Sequence, residues 1–276
     1  MPRSALAIDA VTTLDENAPW VSGYVFDQTW QEERRRHEGM ARLWDAGTFE
    51  LLARLGVSEG WRCAEVGAGI GSVSRWLAGR VGPGGYVLAS DVDPRLLEEI
   101  DAPNVEVRAF DVLADDLPPS SFDLVYARLL VAHVGAQAIR PMLAGLRPGG
   151  LLVIEDYDNS LDVSYPASEV FQRVMAALFD VVSDAGVDPY FGRKAPAELI
   201  AAGLTDVAAQ GGARVVRGGT RDCDFQRLTL LALRTAMLSA GSVSETDFDA
   251  ALAKFDDPGW FRIGPLMVAA WGRAPR

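Results

Sequence analysis

The stretch Glu65-Val66-Gly67-Ala68-Gly69-Ile70-Gly71 decides how the rest of the chain is read. Its glycines let backbone approach a ligand where any Cβ would collide, and the helix that follows starts with unpaired N–H groups facing the same space. The next apolar run ends at Asp91 and the one after it at Asp111. A glycine turn opening a helix, with carboxylates closing the next two runs, describes a pocket for an adenosyl group that carries a charged tail. A dinucleotide requires G-x-G-x-x-G, with pyrophosphate on the helix N-terminus. The third glycine of that pattern is Ser72 here, and the spacing is G-x-G-x-G instead.

Working outward, Trp61 to Val66 reads as a short apolar strand, and Gly71 to Arg80 places Val73, Trp76 and Leu77 on one helical face. Gly82-Pro83-Gly84-Gly85 stops that helix. A second strand, Tyr86 to Ser90, ends at Asp91, about twenty residues past the glycines, where a ribose is held in sheets of this kind. A helix over Pro94 to Ile100 and a strand over Val105 to Phe110 follow.

In these residues the chain resembles the class I S-adenosylmethionine-dependent methyltransferases that act on small molecules, with a core like that of the ubiquinone/menaquinone methyltransferases. Phe122-Asp123-Leu124-Val125-Tyr126-Ala127 resembles the family's fourth strand, and Leu146-Arg147-Pro148-Gly149-Gly150-Leu151-Leu152-Val153-Ile154 its turn into the fifth. The resemblance covers about Glu59 to Asp158, and four β–α units in a row predict a right-handed parallel sheet.

The resemblance implies an α/β fold: a Rossmann-like seven-stranded sheet, mostly parallel with the last strand antiparallel, plus a helical cap. Residues 1–58 become an N-terminal helical lid and residues 59–276 the methyltransferase domain, with a helical insertion at about 220–258. The implied cofactor is S-adenosyl-L-methionine. Glu65, Gly67, Ala68, Gly69 and Gly71 would cradle its methionine part. Asp91, with Val92 beside it, would accept from the ribose hydroxyls, and Asp111 from the adenine amino group, with Val112 offering a backbone N–H. Ala127 and Arg128 end the fourth strand at the same edge. Arg128 has three possible partners: the cofactor carboxylate, an acidic acceptor, or a carboxylate holding the next helix.

Composition narrows the substrate. Asp and Glu outnumber Lys and Arg by 38 to 26, for a net charge of −12, whereas nucleic-acid modifiers carry a basic footprint because phosphate contacts dominate their affinity. The run Arg34-Arg35-Arg36 is flanked by Glu32, Glu33 and Glu38 and reads as a solvated helix face. The fourth strand lacks the Asn-Pro-Pro-aromatic signature of amine-methylating DNA enzymes. A small organic acceptor is expected, with no nucleic-acid or membrane partner. Cys63 and Cys223 are read as reduced thiols, no apolar stretch approaches the ~20 residues of a membrane span, and a cytoplasmic enzyme is expected.

The flanking segments supply the substrate chamber. Asp27 to Leu55 reads as a long helix or a pair, with Trp30, His37, Trp44 and Leu51 sharing one face. His37 on that face is read as a hydrogen-bonded core residue outside the site. Trp20, Tyr24, Phe26 and Trp30 form an aromatic cluster; Tyr24 and Gln28 are lid candidates over the cofactor, ordinary packing of an N-terminal arm being the alternative. The segment Phe225 to Phe255, rich in helix formers, either roofs the site or makes a dimer contact, and a homodimer through the N-terminal helices is a further expectation.

A sulfonium is already an activated electrophile, so methyl transfer needs mainly alignment of nucleophile, methyl carbon and sulfur. Where the acceptor must lose a proton, His133 is the candidate base, just beyond the fourth strand; the competing role is a helix-start hydrogen bond. Glu155, Asp156 and Asp158 are read as strand-end loop carboxylates rather than a metal set, so no metal is expected, and Asp156 or Tyr157 overlooks the acceptor. The expected activity is methyl transfer to an O, N or C atom of a small molecule, plausibly in secondary metabolism. The alternatives are cyclisation or decarboxylation with the cofactor bound, and, more weakly, an NAD-dependent oxidoreductase.

Overall fold

A computed structural model describes residues 32–276. Its centre is a sheet of eight strands, β1 (Arg62–Val66), β2 (Tyr86–Asp91), β3 (Val105–Ala109), β4 (Phe122–Arg128), β5 (Leu146–Asp158), β6 (Val163–Tyr165), β7 (Thr205–Arg217) and β8 (Phe261–Arg273). The order runs β3-β2-β1-β4-β5-β8, parallel as far as β5, and β8 is antiparallel to β5, β6 and β7. Residues 266–273 of β8 pair with β5 and 261–263 with β6, while β7 follows both stretches along the opposite edge. Thus β6 continues the place of β5, and the sheet is seven positions wide, the width the sequence implies, with one short strand beyond the expected seven.

Every residue of β4 is buried, as a strand covered on both faces must be, and its near-continuous apolar run is the sequence mark of that position. Alternation assigns the two faces. Leu124 and Tyr126 of β4, with Leu151 and Val153 of β5, pack with Leu51, Leu52, Val73 and Leu77 from helices α1 (Glu33–Arg54) and α2 (Ser72–Val81). Val125, Ala127, Leu152 and Ile154 face the other core. That core is completed by α3 (Val131–Val134), α4 (Ile139–Gly145), α5 (Glu169–Asp184), α6 (Ala195–Ala201), α7 (Asp224–Ala232), α8 (Arg234–Ser239) and α9 (Glu245–Lys254). The helices α7 to α9 lie between β7 and β8 in sequence, where the insertion is expected.

One expectation changes. The helix expected over Pro94 to Ile100 is only a 3₁₀ turn, Pro94–Leu96. Leu97 and Ile100 both tuck beneath Gly71, and residues three apart share a face in three-residue turns, here closed by Leu97 N–H to Pro94 O and Ile100 N–H to Leu97 O. The long helix expected from Asp27 is described from Glu33, and Tyr24, Gln28 and the rest of the aromatic cluster lie outside the described residues. What is described of the N-terminal segment packs against α2 and one face of the sheet: Phe49 of α1 stacks on Trp76 of α2 at 5.0 Å between ring centroids.

Candidate active site

At the carboxyl ends of β1, β2, β4 and β5 lies a cavity of about 490 Å³. Its base is the glycine loop. Gly67 and Gly69 have φ of 73° and 55°, the left-handed region, and a Cβ on them would stand 3.2 Å from Leu130 Cδ1 and 2.9 Å from His37 Nδ1. The loop is tied to β2: the N–H groups of Gly67 and Ala68 donate to Ser90 O at 2.8 and 2.9 Å. Asp91 finishes the tie. Its Oδ2 accepts from Gly69 N–H at 2.9 Å and its Oδ1 from Asp93 N–H at 3.1 Å, and burial pushes its carboxyl above the usual range despite both donors. Behind the loop, Glu65 accepts from Ser74 Oγ at 2.5 Å, and burial pushes it up to about 7.

Helix α1 closes one side through buried polar contacts. Arg128, at the end of β4, donates to Asp45 Oδ1 at 2.8 Å and Thr48 Oγ1 at 3.2 Å. Thr48 and Tyr126 both donate to Glu155 Oε2, at 2.5 and 2.6 Å, Trp44 Nε1 donates to Tyr157 Oη at 2.7 Å, and Ser72 donates to Asp45 at 3.1 Å. At the start of the same helix, Glu33 takes both Nε and Nη2 of Arg36 at 2.8 and 2.6 Å and meets His37 Nε2 at 3.0 Å. Those partners outweigh burial and hold Glu33 down at about 2.

Beyond the loop the wall changes character. Leu178, Phe179 and Val182 of α5 and Phe225 of α7 supply apolar surface, and Gln226 and Thr229 of α7 interrupt it. His133 lies in this part, and burial, reinforced by the Arg36 charge, lowers its imidazole to about 4. Asp156 is fully buried in the same wall, and desolvation pushes its carboxyl well above the usual range.

Residues 64–154, from inside β1 to inside β5, match the sequence family described as "Methyltransferase domain". Over those residues the chain is similar to a methyltransferase domain. The ubiquinone/menaquinone biosynthesis C-methyltransferase UbiE of Pseudomonas putida (strain GB-1) is 32% identical to it over 149 residues, which are 50% of this chain and 55% of that protein. The chain therefore spans about half the length of the curated relatives it matches. Among solved structures, the YcgJ protein of Bacillus subtilis superposes with a TM-score of 0.56 at 16% identity, over 84% of this chain and 99% of that one. Phosphoethanolamine N-methyltransferase 2 of Haemonchus contortus, solved with phosphomonomethylethanolamine and S-adenosylhomocysteine, gives 0.53 at 17% identity, over 84% of this chain and 53% of that one. At such identities the likeness is one of fold.

Within the matched residues, Glu65, Gly67, Ala68, Gly69, Asp91, Val92, Asp111, Val112, Arg128 and His133 all border the cavity. Gly71 and Ala127 do not: Gly71 turns towards Ile100 and Leu97, and Ala127 is sealed in the core. Of the partners open to Arg128, the structure supplies a carboxylate, but on α1 rather than on the following helix. Two cavity residues are misplaced by the sequence reading. His37 is hydrogen-bonded, as expected, yet also presses on Gly69, and Arg36 is buried at the cavity while Arg34 and Arg35 remain on the surface. The i, i+3 and i, i+4 spacing of Glu33, Arg36 and His37 was the available signal. Glu155 and Asp158 are committed to Thr48, Tyr126 and Arg193, and among the described residues no three His, Cys, Asp or Glu side chains converge as metal ligands.

Proposed function

We propose that this chain transfers a methyl group from S-adenosylmethionine to an O, N or C atom of a small organic molecule. The observation that carries the reading is Asp91. Its carboxylate stands at the end of β2, joined to the Gly69 N–H, so the ribose acceptor and the backbone cradle are one hydrogen-bonded unit on the cavity wall. Asp91 would hold the ribose hydroxyls and the Gly67–Gly69 backbone the methionine part, while Asp111 and Val112 would meet the adenine edge. When bound, the cofactor supplies a sulfonium-activated methyl group. The chain's contribution is placement: the α5 and α7 side chains exclude water and set the acceptor in line. His133 borders the acceptor end of the cavity, but its imidazole, lowered to about 4, is a weak base and would take a proton only from an acceptor whose own proton is acidic.

Calorimetric titration with S-adenosylhomocysteine, beside NAD⁺, tests this. Wild-type protein is expected to bind the homocysteine compound and not NAD⁺, with affinity falling in Asp91→Ala and less in Asp91→Asn, which keeps one acceptor oxygen. Binding of NAD⁺ alone, or of neither, overturns the proposal. Product mass then distinguishes methyl transfer, which adds one CH₂ to the acceptor, from cyclisation or decarboxylation in the same fold.

A further inference from the structure

Gln226 of α7 stands in the cavity wall only 8% exposed, and its amide is oriented from behind. Asp162 holds the buried Arg262 through Nε to Oδ1 at 2.7 Å and Nη2 to Oδ2 at 3.0 Å, which leaves Nη1 to donate to Gln226 Oε1 at 3.2 Å. A guanidinium has donors only, so the amide must turn its oxygen to Arg262 and its NH₂ the other way. Among the described residues that nitrogen is buried without an acceptor. A buried donor with no partner carries a desolvation penalty that a partner removes. Tyr157, also in the wall, accepts from Trp44 Nε1, so its own hydroxyl proton is free to be donated in another direction. Two polar groups of this wall, Gln226 Nε2 and Tyr157 Oη, thus offer donors.

Resting on the methyl-transfer reading, we infer that Gln226 Nε2 receives an oxygen of the methyl acceptor, and that the acceptor is an apolar molecule bearing a carbonyl or oxyanion oxygen. Gln226 is then a specificity-determining contact, because a site built to donate discriminates against an analogue that lacks the oxygen far more than against one that differs by a methylene.

The test uses ¹⁵N-labelled full chain saturated with S-adenosylhomocysteine and two probes of matched shape: acetophenone, with C=O, and α-methylstyrene, with C=CH₂ in its place. The side-chain amide signal of Gln226 is identified by its loss in Gln226→Glu, a variant that still offers Arg262 an oxygen. Acetophenone is expected to bind wild type about tenfold more tightly than α-methylstyrene and to shift the Gln226 amide signal, and Gln226→Glu to lose the preference while retaining the homocysteine compound. Equal affinity for the two probes, binding of neither, or a preference that survives in Gln226→Glu overturns the inference. The wild-type comparison decides the matter even where the variant does not fold. Loss of S-adenosylhomocysteine binding in wild type overturns the methyl-transfer reading itself, whereas binding without probe preference overturns this inference alone.

Discussion

His133, half-buried, and Glu65, buried, both border the cavity and titrate in opposition. His133 is lowered to about 4, so an unfolded chain takes up a proton near 6.5 that the folded one refuses. The stability this contributes is complete above pH 6.5 and is lost as pH falls towards 4, at up to ~1.4 kcal/mol per pH unit. Glu65 is raised to about 7, so its contribution is complete below the ordinary carboxylate range and is lost as pH rises through 7. Between pH 5 and 6.5 the two slopes oppose, and removing either group exposes the other. On going from pH 7 to pH 5, His133→Asn is expected to gain about 2 kcal/mol relative to wild type, and Glu65→Gln to lose a similar amount. Urea unfolding midpoints at the two pH values check both signs; parallel profiles for all three proteins would show that neither group titrates as described.

At the scale of elements, α1 carries the coupling between glycine loop and acceptor wall. Arg128→Met leaves the Asp45 carboxylate without its buried partner and is expected to cost about 3–5 kcal/mol in urea unfolding. Asp45→Asn keeps an acceptor oxygen for Arg128 and should cost less. Gly39 of α1 lets α7 approach, since a Cβ there would lie 2.7 Å from Phe225 N, a backbone atom that cannot swing aside. Gly39→Ala should therefore destabilise by about 1–3 kcal/mol. Gly79→Ala, in α2 with nothing within 4 Å, should stabilise by about 0.5–1 kcal/mol, and equal effects from the two alanines would remove the packing argument. These elements also mark where the sequence was readable. The glycine turn, the apolar runs of β1, β2 and β4 and the carboxylate closing β2 are local patterns, each set by neighbours a few residues away. Arg36 is indistinguishable in sequence from Arg34 and Arg35, because only the packing of α1 decides which of the three turns inward. The orientation of Gln226 depends on Arg262 and Asp162, which no local pattern joins to it. Pro94 to Ile100 has helical composition, and the space beneath Gly71 selects the tighter turn.

For the molecule as a whole, a ligand that binds only the folded state stabilises it by mass action. S-adenosylhomocysteine at a hundred times its Kd adds about 2.7 kcal/mol, which in a domain of this size raises Tm by roughly 5–10 °C. Thermal scans should show that rise in wild type and its loss in Asp91→Ala; an equal rise in both would mean that Asp91 does not touch the ligand. The net charge of −12 adds a second expectation: an anionic polymer such as RNA should produce no rise at low salt. One feature of the sheet sets a timetable as well. The strand that unites β5, β6 and β7 is β8, the last of the eight to be synthesised. While the chain grows, β1 to β5 can assemble in sequence, but β6 and β7 have no strand to join and the outer edge of β5 stays open. The insertion helices must emerge before that edge is covered, so a ribosome paused ahead of Phe261 holds a chain whose cofactor edge is built and whose opposite flank is still free to pair with a neighbour.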